Sequence, residues 1–170
     1  MSSKLASEIT PTQLVVVCGN NQEMVSDLSS PTRRWPRGVT VHVKGFIQNV
    51  HEFMGASNLL VTKAGPGTIA EAMILGLPLV LSTFLPGQEE GNVPYVVDNG
   101  FGFFSGEDAH AIADSVAELL NDENRLVNMS KRAKELSLPG ATLAIARDLA
   151  TLCLQGKYDI SNENKGVEMI

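Results

Sequence analysis

Short apolar stretches alternate with amphipathic stretches over the first two thirds of the chain. Residues 14–18 form a continuous apolar run rich in valine, which is typical of a strand covered on both faces of a sheet. Residues 39–46 alternate apolar and polar side chains and predict a second strand. The remaining strands are predicted at residues 59–62, 79–81 and 101–104, and the helices between the strands at residues 22–28, 49–56 and 66–75.

The last third of the chain shows helical periodicity only. Ser105 and Asp108 have the spacing of a capping box and predict that a helix begins there. Three amphipathic helices are predicted, with apolar faces made of Ile112, Val116, Leu119 and Leu120, then Leu126, Met129, Ala133 and Leu136, then Ile145, Leu149 and Leu152.

Strands that alternate with helices predict an α/β fold with a doubly wound parallel sheet, closed here by the C-terminal helices. We assign residues 13–155 to one domain, residues 1–12 to an N-terminal flank, and the polar, aperiodic residues 156–170 to a disordered tail. Such sheets bind ligands beyond the carboxyl ends of their strands. This rule selects four loops, at residues 19–21, 45–47, 63–68 and 83–92.

Composition narrows the class of protein. The 170 residues are 44% hydrophobic and 19% charged, which is ordinary globular usage, and the net charge of -6 argues against a nucleic-acid-binding protein. No apolar run approaches the roughly 20 residues that span a bilayer, and the N-terminus resembles neither a signal peptide nor a transit peptide. Cys18 and Cys153 are far apart and predict no disulfide framework. We therefore expect a soluble, intracellular domain.

A glycine-rich turn at residues 63–68 (KAGPGT) joins a predicted strand directly to a predicted helix. Gly65 and Gly67 allow a ligand to approach the backbone closely, and the unpaired N–H groups at the helix start favour an anion, above all a phosphate. Thr68 adds a hydroxyl donor. A tight turn that needs glycine for steric reasons alone is the alternative explanation.

The same turn also matches a dinucleotide-binding fingerprint. Gly65-x-Gly67-x-x-Ala70 has the glycine spacing of that motif. The motif normally follows the first strand of its unit, whereas this turn follows the third predicted strand. The acidic residue expected at the end of the next strand is missing, since Glu89 comes only after a further loop. Binding of a nicotinamide dinucleotide is the less favoured hypothesis.

Carboxylate and amide side chains follow the turn. Glu71, three residues after Thr68, is suited to accept hydrogen bonds from both hydroxyls of a ribose, although a favourable interaction with the helix dipole also explains an acid there. Gln88, Glu89 and Asn92 resemble a set that binds sugar hydroxyls. A solvated loop is the alternative for these three residues.

Motifs of metal-dependent and nucleophilic catalysis are absent from the sequence. It contains no DxD, HExxH, P-loop or GxSxG motif. The three histidines, His42, His51 and His110, lack the spacing of metal ligands. We expect neither a metal site nor a cofactor.

Two longer runs carry a resemblance to a known family. Residues 62–78 (TKAGPGTIAEAMILGLP) and residues 86–102 (PGQEEGNVPYVVDNGFG) resemble the monogalactosyldiacylglycerol (MGDG) synthases, in the C-terminal donor domain of glycosyltransferase family 28. Residues 15–19 and 43–46 fall where that family has its first two strands. The resemblance covers residues 14–154.

This resemblance implies that the chain is the Rossmann-like C-terminal half of a GT-B glycosyltransferase, with UDP-galactose as the donor substrate. Gly19 and Asn20 would line the floor of the site near the phosphates. The donor-binding residues that the resemblance implies are Gly19, Asn20, Phe46, Lys63, Gly65, Gly67, Thr68, Glu71, Gln88, Glu89 and Asn92.

The resemblance also implies a role for most of these residues. The turn at residues 65–68 would bind the diphosphate, and Glu71 would bind the ribose. Gln88 and Glu89 would contact the galactose. The backbone around Phe46 would face the uracil.

The N-terminal half of each enzyme in this family has no counterpart in these 170 residues. That N-terminal half binds diacylglycerol and is expected to supply the catalytic base, so the catalytic residues are not assigned. The chain is either part of a longer enzyme or the partner of a separate subunit, as in the dolichol-linked N-acetylglucosaminyltransferase. In both cases we expect the chain alone to be inactive. By resemblance, its location is peripheral on the chloroplast envelope.

A basic loop lies between the first predicted helix and the second strand. Arg33, Arg34 and Arg37 flank Trp35, a combination that suits contact with an anionic membrane surface. A charged connection between a helix and a strand explains the same residues without any function.

Overall fold

The computed structural model describes residues 11–154. Its strands are β1 (Thr12–Val17), β2 (Val39–Lys44), β3 (Leu60–Thr62), β4 (Leu79–Leu81) and β5 (Gly102–Phe104). Its helices are α1 (Gln22–Leu28), α2 (Val50–Gly55), α3 (Pro66–Leu75), α4 (Asn92–Asp98), α5 (Ala109–Leu120), α6 (Glu123–Leu136) and α7 (Ala141–Leu154). The predicted tail and most of the predicted N-terminal flank lie outside the described residues, while Thr12 is already part of β1.

All five strands are parallel, as the alternation of strands and helices predicts. They form two hydrogen-bonded sheets rather than one continuous sheet: β1 pairs with β2, and β3, β4 and β5 pair in that order. The apolar pattern of a strand indicates which of its side chains favour burial, but it does not indicate which strand pairs with its edge. The division into two sheets was therefore not predictable from periodicity.

The larger sheet carries helices on both faces of its central strand β4, whose residues are fully buried. Leu79 and Leu81 share one core cluster with Met73 of α3. Val80 points to the other face, into a cluster with Leu119 of α5. This is the doubly wound arrangement that was predicted.

The first strand departs from its prediction. A strand covered on both faces was expected at residues 14–18, but Leu14 and Val17 are each 42% exposed. β4 satisfies that expectation instead. The apolar run of β1 favours a strand, because β-branched residues fit an extended backbone, yet it does not ensure that both faces are covered.

Helix α3 has the boundaries that the sequence predicts. Pro66 occupies its first position, where a missing N–H costs no helical hydrogen bond. Gly76 ends the helix in the left-handed conformation, with φ of 68°, and its N–H donates to the carbonyl oxygens of Ala72 and Met73. The first half of the glycine-rich turn, residues 63–65, therefore precedes the helix, and its second half, residues 66–68, forms the first turn of the helix.

Two local predictions were wrong. Helix α4 was missed, because it is only seven residues long, contains Pro94 and has no side-chain cap. The capping box at Ser105 does not form: Asp108 itself caps α5 by accepting from the N–H of Ala111 at 2.8 Å. The hydroxyl of Ser105 donates instead to the hydroxyl of Ser115 at 2.8 Å.

The chain divides after Ser137 into two compact units. Within the described residues, the first unit holds both sheets and helices α1–α6, and the second consists of residues 138–154 with helix α7. No helix in the described part of the chain combines the length and apolar character needed to cross a membrane.

Candidate functional site

The glycine-rich turn leads from the end of β3 into α3 at the carboxyl edge of the larger sheet. The Ala64 N–H donates to the Thr83 carbonyl at 2.8 Å, which fixes the turn against the end of β4. The first helical hydrogen bond runs from the Ile69 N–H to the Gly65 carbonyl at 3.0 Å. The N–H groups of Gly67 and Thr68 therefore have no acceptor within the helix, and they are available to an anion at its positive end.

Gly67 has an ordinary helical backbone and open space around it. Gly67 is not among the glycines with positive φ and lies in the first turn of α3. A Cβ built on Gly67 would meet no heavy atom within 4 Å. The fold itself would therefore accept a side chain, and only a ligand that approaches the backbone would be excluded by it.

Two side chains, one in the loop at residues 85–91 and one at the start of α4, attach this part of the chain to the turn. The Asn92 amide donates to the Ala64 carbonyl oxygen at 2.9 Å. The Glu89 carboxylate forms an ion pair with the Lys63 ammonium through one oxygen, and its other oxygen accepts from the Leu85 N–H at 3.0 Å. We call these three interactions the loop–turn contact.

Glu89 is the one buried charged or polar residue among those that the structure describes. The hydrogen bonds from Lys63 and from the Leu85 N–H hold the pKa of its carboxyl below the ordinary value, although burial acts in the opposite direction. A Cβ built on Gly65 would lie 3.4 Å from the Lys63 ammonium nitrogen. The ion pair is thus placed directly beside the turn.

Glu71 and Gln88, the predicted ribose and sugar residues, are both exposed. Glu71 lies on α3 one turn beyond Thr68, and Gln88 lies in the loop next to Glu89. The backbone N–H of Gln88 donates to the Leu85 carbonyl at 3.1 Å, so the loop folds back on itself. The roles of the two side chains in ligand binding stay predictions.

The remaining predicted residues lie at the carboxyl end of the smaller sheet. Gly19 has φ of 55°, and its carbonyl oxygen would lie 3.6 Å from a Cβ built on Gly45. Asn20 is exposed, and Phe46 is 66% exposed. Across residues 11–154, no hydrogen bond or ion pair joins Gly19, Asn20 or Phe46 to the glycine-rich turn or the loop.

The structure thus brings together Lys63, Gly65, Glu89 and Asn92, and it places Gly19, Asn20 and Phe46 in a second group. Sequence reasoning missed the backbone groups of Ala64 and Leu85, to which the side chains of the first group bind. A pattern of side chains carries no signal for such partners. Only Pro86 and Gly87, a common turn pair, indicated that the loop turns sharply after Leu85.

A cavity of about 660 Å³ lies elsewhere, between β5 and α6. Its two arginines already have partners: Arg125 pairs with Glu118 at 2.5 Å, and Arg132 donates to the Asn99 carbonyl at 3.1 Å. None of the predicted site residues lines this cavity. In the described part of the chain, no three His, Cys, Asp or Glu side chains are grouped so that they could hold a metal ion.

Comparison with known proteins gives a family and close relatives. Residues 2–136 match the family described as Glycosyl transferases group 1. "Monogalactosyldiacylglycerol synthase 3, chloroplastic" of Arabidopsis thaliana is 45% identical over 146 residues, which are 84% of this chain and 30% of the relative. "Probable monogalactosyldiacylglycerol synthase 2, chloroplastic" of Oryza sativa subsp. indica is 46% identical over 140 residues, 82% of this chain and 29% of the relative.

These relatives confirm the resemblance to the MGDG synthases. That resemblance was assigned to glycosyltransferase family 28, whereas the family that matches is described as group 1. The chain spans less than a third of the length of both relatives.

Solved structures show the same fold. MurG of Acinetobacter baumannii matches 86% of this chain with 43% of its own, at a TM-score of 0.72 and 19% identity. The glycosyltransferase SnogD of Streptomyces nogalater matches 87% of this chain with 38% of its own, at a TM-score of 0.55 and 18% identity. The prediction of a Rossmann-like half of a GT-B glycosyltransferase is confirmed.

Proposed function

Because this chain belongs to the group 1 glycosyltransferases, we propose that it holds the donor, UDP-galactose, in a galactosyl transfer to diacylglycerol. The relatives named MGDG synthase, 45% and 46% identical, support this choice of donor and acceptor. Since the chain spans less than a third of their length, the activity of the whole enzyme is part of the proposal.

The single observation that carries the proposal is the open start of α3. The free N–H groups of Gly67 and Thr68 point to a diphosphate ligand, because a helix N-terminus carries partial positive charge. During transfer, negative charge develops on the UDP leaving group. Donors already in place would stabilise that charge without reorganisation and without a metal ion. The Lys63 ammonium lies beside Gly65 as a further N–H donor, although its ion pair with Glu89 offsets its charge.

We assign the other parts of the donor to the residues around this turn. Glu71 binds the ribose and Gln88 contacts the galactose, since both side chains are exposed and free to meet a ligand. The backbone at Phe46 faces the uracil, and Gly19 and Asn20 lie below the phosphates. This second group requires that the carboxyl ends of both sheets contribute to one site.

The acceptor and its catalytic base belong to a separate acceptor-binding domain in this proposal. The relatives are named chloroplastic, so we place the chain at the chloroplast envelope. The loop of Arg33, Arg34, Trp35 and Arg37 is the proposed membrane contact. Arg33 is partly neutralised by Asp27 at 2.5 Å, which leaves the other two arginines to supply positive charge.

Two alternatives are not favoured. A partner-dependent subunit like that of the dolichol-linked N-acetylglucosaminyltransferase is opposed by the MGDG synthase names of the relatives. A nicotinamide dinucleotide module is opposed by the glycosyltransferase family match and by the missing acid after β4.

Calorimetric titration of the purified chain tests the proposal. We expect UDP and UDP-galactose to bind, UDP-N-acetylglucosamine to bind more weakly than UDP-galactose, and NAD to give no heat of binding. Binding of NAD without binding of UDP would contradict the assignment of the turn. Equal or tighter binding of UDP-N-acetylglucosamine would favour the alternative donor subunit.

A further inference from the structure

We infer that Asn92 and Glu89 are positioning residues, which hold the glycine-rich turn and the 85–91 loop in one fixed arrangement. The diphosphate contacts of the turn and the sugar contact of the loop then form together. This inference rests on the proposed function of the turn as the diphosphate site. It assigns Glu89 a different role from the galactose contact that the sequence resemblance implies.

The first argument is the position of the Ala64 carbonyl. Ala64 is fully buried, and its carbonyl belongs to the peptide group that carries the Gly65 N–H. The Gly65 N–H donates to the Lys63 carbonyl at 2.8 Å, and the Asn92 amide donates to the Ala64 oxygen at 2.9 Å. Because a peptide group is planar, these two bonds together orient the peptide that begins the turn.

Removal of the Asn92 amide leaves a buried carbonyl without its side-chain donor, which is costly in a protein interior. The peptide between Ala64 and Gly65 can then rotate to find another partner. Because this peptide leads into Gly65, the N-cap residue of α3, we expect its rotation to displace the N–H groups of Gly67 and Thr68. A residue at the start of α4 thereby controls the geometry of the proposed diphosphate site.

The second argument is the double engagement of Glu89. One carboxylate oxygen pairs with Lys63, the residue that precedes the turn, and the other accepts from the Leu85 N–H, where the loop begins. Both oxygens thus bind the protein. The buried Glu89 therefore fixes the position of the loop relative to the turn. The exposed Gln88 is then the side chain available to contact a sugar.

A matched pair of asparagines makes the inference testable. Asn92 is the first residue of helix α4 and Asn99 caps its C-terminal end, and the amide of each donates to one backbone carbonyl, in a partly buried bond for Asn92 and an exposed bond for Asn99. The Asn92 bond reaches across to the turn, 28 residues away, whereas the Asn99 bond at 2.8 Å stays local, to Tyr95. Their alanine variants lose the same type of bond, but only one of them affects the turn.

The experiment measures dissociation constants of UDP and UDP-galactose together with the melting temperature for the wild-type chain, Asn92→Ala and Asn99→Ala. We expect Asn92→Ala to weaken UDP and UDP-galactose by about threefold to tenfold, as one lost hydrogen bond would. We expect Asn99→Ala to bind both ligands like the wild type. Both variants lower the melting temperature, so affinity is measured well below it, on folded protein.

Asn92→Asp is the second variant, because it keeps the size of the side chain and removes the donor. We expect it to bind UDP as weakly as Asn92→Ala, or more weakly, because its carboxylate repels the Ala64 oxygen. Wild-type affinity in Asn92→Ala or Asn92→Asp would overturn the inference, and so would equal losses in Asn92→Ala and Asn99→Ala. Failure of the wild-type chain to bind UDP would instead contradict the proposed function.

Discussion

The Glu89 carboxylate and the Lys63 ammonium form an ion pair in which the two side chains differ sharply in exposure, 9% for Glu89 and 58% for Lys63. The pair therefore has a protein side, where Glu89 also accepts from the Leu85 N–H, and a solvent side, where the ammonium lies beside Gly65. The pair is close to neutral overall, and its ammonium end lies on the solvent side of the turn while its carboxylate is held inside.

The ion pair predicts a stability that depends on pH. The folded-state pKa of Glu89 lies below its ordinary value, chiefly because Lys63 and the Leu85 N–H donate to the ionised form. The resulting stability is fully present above the unfolded-state pKa, and it is lost as the pH falls through the folded-state pKa. We expect Glu89→Gln to unfold more readily than the wild type in urea at neutral pH. We expect this difference to shrink steadily in acid, below the ordinary carboxyl range.

The neighbouring Glu90 supplies the control for this measurement. It is exposed and lies in the same loop, so we expect Glu90→Gln to unfold like the wild type at every pH. A difference between Glu89→Gln and the wild type that does not change with pH would mean that the carboxylate charge has no part in the loop–turn contact.

Substitution of Gly67 should change the stability of the protein and its affinity for UDP in opposite directions. Since its backbone is helical and the space around it is open, Gly67→Ala should raise helix stability by up to about 1 kcal/mol. The added methyl group should at the same time obstruct the diphosphate, and we expect UDP to bind about tenfold more weakly. Gly67→Val, with a bulkier side chain, should abolish UDP binding.

Calorimetry and thermal unfolding of Gly67→Ala check both parts of that prediction. Ala70→Gly is the matched control, because Ala70 is an exposed residue of the same helix, and its variant should lose stability without losing affinity. If Gly67→Val binds UDP normally, the turn serves only to connect β3 to α3.

The sugar contact and the ribose contact are distinguished by two further variants. Gln88→Ala should weaken UDP-galactose by about tenfold to a hundredfold, the cost of about 1–3 kcal/mol for a lost partner, and leave UDP nearly unchanged. Glu71→Ala should weaken both ligands equally, because both carry the ribose. Dissociation constants of the two ligands for each variant decide the matter. Equal effects of Gln88→Ala on both ligands would refute the assignment of Gln88 to the sugar.

Catalysis should require more than these 170 residues. The chain spans 30% of the Arabidopsis relative, and the proposed acceptor site and its base lie in the remainder of such an enzyme. We expect the purified chain to bind UDP-galactose but to transfer no galactose to diacylglycerol in an assay with labelled donor. Sustained turnover by the chain alone would place a catalytic base within it.

Short-range signals in the sequence determined much of this protein. Pro66 and Gly76 predicted the two ends of α3 correctly. The missing N–H of proline and the left-handed conformation of glycine affect only the residues next to them, so the sequence is sufficient to place such ends. The alternation of strands and helices predicted parallel pairing and the carboxyl-edge location of the glycine-rich turn. Residues 62–78 and 86–102 together indicated the resemblance to the MGDG synthases, which the comparisons confirm.

Only the tertiary structure decided which groups the site residues bind. The residue types of Glu89 and Asn92 suggested sugar binding, which stays a prediction, but gave no indication of their protein partners Lys63 and Ala64, 26 and 28 residues away along the chain. At such a separation along the chain, the partner of a polar side chain depends on how β4 and α4 pack. The periodicity of the sequence carries no information about contacts between residues so far apart in the chain. The same reason explains the division into two sheets: hydrogen bonds between strand edges are formed by backbone atoms, which every sequence shares.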